Sequence, residues 1–116
     1  TLPSGSMTHL VLIAAVDDLS PRTIRVFPRE DTGLGAPLAL VRDLNGEFHA
    51  VEDSCPHVGA SFGRGVVHPD AVIECPLHHG LWCLRSGDAV RYPARTPAKI
   101  RRVEVREGGV WVSAGG

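Results

Sequence analysis

Two cysteine–histidine pairs stand apart from the rest of this chain. Cys55 is followed by His57 and, after seventeen further residues, Cys75 is followed by His78, giving Cys-x-His and Cys-x-x-His arms. Each cysteine leads into a proline, Pro56 or Pro76. Thiolate and imidazole together suit zinc and iron–sulfur clusters, and packing alone gives no reason for two Cys-Pro dipeptides that each run into a histidine. Structural zinc usually draws its cysteines from one short-spaced pair and its histidines from another, whereas each arm here mixes the two. Two similar loops facing one another would bring both cysteines together at the loop bases and both histidines nearer the tips. That arrangement suits an inner iron held by sulfur and an outer iron held by nitrogen, close to solvent. A lone histidine is more often a surface or hydrogen-bonded residue, and His9 and His49 are read that way.

The elements that must carry these loops are short alternating runs broken by turns. Strands are expected over 9–16, 23–28, 37–43, 48–53, 71–75, 81–84, 89–92, 99–107 and 110–114. Asn45-Gly46 is a hairpin signal, and Gly108-Gly109 turns the last hairpin. The segment 17–22 reads as a turn, with at most one turn of helix over 16–21, 30–35 reads as a loop, and 54–70 is the long irregular stretch. Regular short strands with turn signals indicate an all-β sandwich or barrel. A loop of that length inside a compact domain is usually functional or disordered, and binding residues concentrate on loops held by a rigid scaffold. With 116 residues a single domain is expected. Residues 1–6, before Met7, read as an expression scar.

Composition narrows the function classes. Twelve basic and thirteen acidic residues give a net charge of −1, so there is no basic excess to hold nucleic acid. No apolar run approaches the length that crosses a bilayer, and the expectation is a cytoplasmic chain with no membrane partner. Three cysteines, Cys55, Cys75 and Cys83, argue against a disulfide framework and for metal ligands or core thiols.

The two arms resemble the Rieske motif, in which histidines replace two cysteines on one iron of a 2Fe-2S centre. The likeness covers both ligand loops and neighbouring strands, about 47–97, and "YPARTP" at 92–97 is similar to the family's proline-bearing covering loop. The resemblance implies an all-β, Rieske-type antiparallel β-sandwich or barrel. A small cluster-binding subdomain of two ligand loops (about 53–83) and the covering loop (about 92–97) would sit in one domain, 7–116. It also implies one 2Fe-2S cluster held by Cys55, His57, Cys75 and His78. Two ferric ions, two sulfides, two thiolates and two neutral imidazoles carry no net charge. One added electron therefore makes a monoanion, where an all-cysteine centre would become a trianion. Charge is costly in a low-dielectric site, so histidine ligation raises the potential, into a family range of roughly −150 to +300 mV.

High-potential Rieske proteins of cytochrome bc-type complexes add a disulfide between the ligand loops and hydroxyls directed at the cluster sulfurs. The matching positions here are Ala60 and Leu77 for the cysteines, and Gly80 and Trp82 for the hydroxyls. The resemblance is therefore to the small ferredoxins of bacterial ring-hydroxylating oxygenase systems. It implies a monomeric one-electron carrier, not an enzyme, working between a flavin-containing NAD(P)H reductase and a terminal oxygenase. A Rieske-type small subunit of an assimilatory nitrite reductase and a zinc-stabilised β interaction module are the rival readings. His79 stands where the ferredoxins usually place glycine, in backbone expected to need an unusual torsion, and is the alternative ligand to His78. Cys83 is expected to be a core thiol, His68 to lie at a turn between the ligand loops, and Val58, Leu81 and Pro93 to surround the histidines.

Overall fold

The structure is a computed structural model that describes residues 10–33, 35–53, 61–77, 79–91 and 96–113. The described residues form eleven strands: β1 (Leu10–Ala15), β2 (Thr23–Phe27), β3 (Leu38–Arg42), β4 (Phe48–Glu52), β5 (Val66–His68), β6 (Val72–Glu74), β7 (Leu81–Cys83), β8 (Ala89–Arg91), β9 (Ile100–Arg101), β10 (Val103–Arg106) and β11 (Gly109–Ser113). They pair in three sheets, ordered β1-β11-β10, β2-β3-β4-β9 and β5-β6-β7-β8. All the pairings are antiparallel.

The middle sheet is the spine. In β3, Leu38, Ala39, Leu40 and Val41 are all at most 1% exposed. A strand sends alternate side chains to opposite faces, so a strand apolar at every position must be covered on both. Leu38 and Leu40 join Phe27, Ala50, Val110 and Val112 in a core shared with the β1-β11-β10 sheet. Ala39 and Val41 join Val51, Val67, Ile73 and Trp82 in a second core shared with the β5-β6-β7-β8 sheet. Each fully buried aliphatic side chain is worth about 1.5–3 kcal/mol over an exposed one.

Several elements differ from the sequence expectation. The β3–β4 connection is longer than two residues. Asp43 N–H donates to the Glu47 carbonyl at 2.8 Å, leaving Leu44, Asn45 and Gly46 as the turn, with Gly46 at φ 88°. Residues 29–32 form a short helix, α1 (Arg29–Thr32), not a loop; it starts after Pro28 and stops at Gly33 in left-handed backbone. The irregular 54–70 stretch contains β5. The expected strand 99–107 is split at Arg102: β9 pairs with β4, and β10 pairs with β11. The single helical turn allowed over 16–21 is a 3₁₀ turn over Val16–Asp18.

Candidate metal centre

Of the four residues expected to hold a cluster, Cys75 lies among the described residues. Cys55, His57 and His78 lie outside them, as do His9, Val58, Ala60 and residues 92–95 of the covering segment. What the structure gives is the two frames that carry the loops.

The second frame is tight. Strands β6 and β7 pair Glu74 with Leu81. Between them Cys75 N–H donates to the Gly80 carbonyl at 2.9 Å, and His79 N–H donates to the Cys75 carbonyl at 3.0 Å. Closing so short a loop requires a left-handed residue near its end, and His79 supplies it with φ 65°. Histidine tolerates that region better than branched residues do. The His79 ring is 69% exposed, and its Nδ1 meets Glu74 Oε2 at 2.5 Å. Glu74 Oε1 meets His68 Nε2 at 2.7 Å, at the end of β5 and the start of the turn into β6. Hydrogen bonds from His68, then from His79, hold the Glu74 carboxyl below its ordinary range.

The first frame is closed by one side chain. The Ser61 hydroxyl donates to Asp53 Oδ2 at 2.6 Å, and Phe62 N–H donates to Asp53 Oδ1 at 2.7 Å. Asp53 is itself tied down, its N–H donating to the Pro37 carbonyl at 2.9 Å. One carboxylate thus joins Asp53 to Ser61 and Phe62, described residues on either side of 54–60.

The two frames meet. Phe62, immediately after the first loop, packs edge-on against Trp82, just after the second, with ring centroids 5.6 Å apart and planes at 78°. Cys75 belongs to the same buried cluster and is 1% exposed with no disulfide. A sequestered thiol at a loop base, beside the base of the other cysteine-bearing loop, fits the inner, sulfur-held side of a 2Fe-2S centre. Thiolate and imidazole donors on the two arms fit the group chemically. Leu77, at the tip of the second loop, is 55% exposed, while Leu81 is half-buried.

Other chemistry-bearing residues are accounted for. Cys83 follows Trp82 on β7 and so points to the opposite face. The Ser86 hydroxyl, with the Ser86 and Arg85 N–H groups, pulls its thiol below the ordinary range against the opposing effect of burial. It is half-buried, not a full core residue. Asp43, Glu47 and His49 are grouped closely enough for a cation. However, the Asp43 carboxylate already accepts from the Asn45 and Glu47 N–H groups at 2.9 and 3.0 Å and meets His49 Nε2 at 2.8 Å. His49 is thus the hydrogen-bonded residue expected. A groove of about 590 Å³, lined by Arg42, Phe48, His49, Arg85, Ile100 and Arg102 among others, opens beside these residues. It lies at the start of β4 and the end of β7, and Arg42, Arg85 and Arg102 are already bonded to Leu19, Glu47 and Glu104.

Comparison with known proteins agrees with this geometry. Residues 9–106 match the Rieske [2Fe-2S] domain, and the chain belongs to that family. The family defines the cofactor as one Rieske-type 2Fe-2S cluster. Among curated proteins, the 3-phenylpropionate/cinnamic acid dioxygenase ferredoxin subunit of Photorhabdus laumondii is 42% identical over 69 residues, spanning 60% of this chain and 66% of that protein. Among solved structures, the complex of reduced oxygenase and oxidized ferredoxin in carbazole 1,9a-dioxygenase contains a chain 36% identical, with a TM-score of 0.80 over 90% of this chain and 93% of that one. The ferredoxin of carbazole 1,9a-dioxygenase from Nocardioides aromaticivorans IC177 is 31% identical, with a TM-score of 0.79 over 89% and 95% of the two chains. A solved structure described as a "putative NADH-dependent nitrite reductase small subunit from Mycobacterium tuberculosis", at 24% identity and a TM-score of 0.78 over 91% of this chain and 95% of that one, shares the fold.

Sequence reasoning did not single out Asp53 or Glu74, whose carboxylates tie together described residues beside positions 54–60 and 78. An acidic residue two positions before the first cysteine and another just before the second were the available signal.

Proposed function

We propose that this chain is the electron-carrying ferredoxin of a ring-hydroxylating oxygenase system. It receives single electrons from a flavin-containing NAD(P)H reductase and delivers them to a terminal oxygenase, working as a monomer and catalysing no reaction of its own. The observation that carries this reading is the meeting of two cysteine-bearing frames at Phe62 and Trp82, with Cys75 buried behind them. Similarity to dioxygenase ferredoxin subunits supplies the pathway class.

Cys55 and Cys75 would hold one iron of the cluster through sulfur, and His57 and His78 would hold the other through nitrogen. When bound, the cluster supplies reversible one-electron chemistry at a potential above that of all-cysteine centres. Asp53 braces Ser61 and Phe62 beside the first arm, and Glu74 braces His68 and His79 beside the second. Nδ1 of His79 is already engaged by Glu74, which supports His78 as the ligand. At the two positions where high-potential relatives direct hydroxyls, Gly80 has no side chain and the Trp82 N–H donates instead to the Thr96 carbonyl at 2.8 Å. Fewer donors to the cluster stabilise its reduced state less, so the potential belongs toward the lower end of the range.

EPR of the dithionite-reduced protein tests the cluster, with a rhombic Rieske signal expected. His57→Ala and His78→Ala should each lose it. A single zinc ion in a colourless protein made under iron-replete conditions overturns the reading. Rapid reduction by an NADH-linked flavoprotein and reoxidation by an oxygenase support the carrier role, whereas stable co-purification with a large sirohaem enzyme would replace it.

A further inference from the structure

Trp82 has no solvent exposure, so its indole N–H has no access to water. A buried donor left without an acceptor costs about 1–3 kcal/mol, and the acceptor present is the main-chain carbonyl of Thr96. Thr96 itself is exposed, and the chain turns inward at once: Ala98 is buried, and its N–H donates to the Gly87 carbonyl at 2.8 Å. Gly87 permits this approach because a Cβ there would lie 2.4 Å from the Ala98 carbonyl oxygen. Thr96–Ala98 is thus fastened twice to the β7–β8 hairpin, once through the tryptophan and once through the glycine. On its other side the indole packs against Phe62, and both rings share a core with Cys75.

We propose that Trp82 is a positioning residue for the cluster: tied to Thr96 and wedged against Phe62, it forms a dry wall behind the Cys75 sulfur that keeps the reduction potential low. Reduction adds a negative charge. Water or other polar groups behind the thiolate would stabilise that charge, and a sealed apolar wall does not. The inference rests on the carrier reading in that it needs a cluster bound at Cys75. The EPR signal of the unaltered protein tests that requirement separately.

The test is Trp82→Phe in the cluster-loaded protein, with Trp111→Phe, on the outermost sheet, as control. The phenyl ring keeps most of the packing but cannot hold Thr96. The expected result is a more positive midpoint potential in spectroelectrochemistry and faster amide exchange at Ala98. Bleaching of the visible absorption by a chelator should be about tenfold faster, the lower end of what losing an outer partner costs a metal site. Trp111→Phe should match the unaltered protein in all three. If Trp82→Phe keeps the original potential and bleaching rate while the rhombic signal is present, the inference is overturned and the carrier reading stands; absence of that signal from the unaltered protein overturns the carrier reading instead. Should Trp82→Phe fail to fold, indole hydrogen exchange in the unaltered protein decides. Trp82 must exchange much more slowly than Trp111, and equal rates overturn the proposal.

Discussion

Left-handed backbone at position 79 costs a non-glycine residue about 1–2 kcal/mol, and the hydrogen bond to Glu74 returns about 0.5–1.5 kcal/mol of it. His79→Gly removes both, so its melting temperature should stay within a few degrees of the original. Its EPR signal should persist, whereas His78→Ala loses it; the reverse pattern would make His79 the ligand. Asp43 offers a separate test. Burial pushes its carboxyl up, but the hydrogen bonds from His49, Glu47 and Asn45 together outweigh burial and hold it below the ordinary value. A carboxyl depressed in the folded state contributes stability above its unfolded value, near pH 4, and loses that contribution as pH falls through the folded value. Asp43→Asn should therefore be less stable than the original at pH 7, and the gap should narrow below about pH 4 in denaturation curves measured across pH. A constant gap at every pH would assign Asp43 a purely steric role. The donor types were legible from sequence because cysteine and histidine announce their chemistry. Asp53 and Glu74 were not, because a carboxylate that braces a loop looks like any solvated acid until its partners are placed.

Strands were easiest to read where their periodicity was unbroken, as in β2, β4 and β11. They were hardest where side chains gave no contrast. Val66–His68 was lost among glycine, histidine and proline, yet pairs fully with Val72–Glu74. Gly65 shows why that pairing needs its unusual surroundings: a Cβ there would lie 2.2 Å from the Glu74 carbonyl oxygen. Gly65→Ala must push β5 away from β6, and overpacking of this kind costs about 1–3 kcal/mol. The expected result is a lowered thermal midpoint and faster exchange of the Val67 amide; an unchanged melt would mean the hairpin can yield. Residues 99–107 alternate except at Arg101-Arg102, where two polar residues stand side by side, and that slip coincides with the change of sheet. The change follows from tertiary pairing, with Arg101 reaching Glu52 at 2.9 Å on β4 while Val103 pairs with Val112. α1 had its signals in Pro28, the acids Glu30 and Asp31, and Gly33, but four residues carry too little periodicity to stand out.

Two cores lie on either side of one sheet, and Cys75 belongs to one of them. Cys75, the one proposed ligand among the described residues, belongs to the core with Phe62 and Trp82 and not to the core around Leu40, Val110 and Val112. Stability within one protein varies by region. Removal of iron by chelation should therefore raise hydrogen exchange over 61–91 while β1, β10 and β11 keep most of their protection. Uniform loss of protection would show that the two cores fold as one cooperative unit. The all-β class was readable from strand spacing, but the layering was visible only in β3, whose unbroken apolar run requires cover on both faces. That strand also sets the rules for length variation. Deleting one residue within Leu38–Val41 would turn leucines toward Trp82 and place alanine and valine against Val110, corrupting both interiors at once. Insertions and deletions should accumulate instead at the Leu44–Gly46 turn, while this strand keeps a constant length across descendants of the chain.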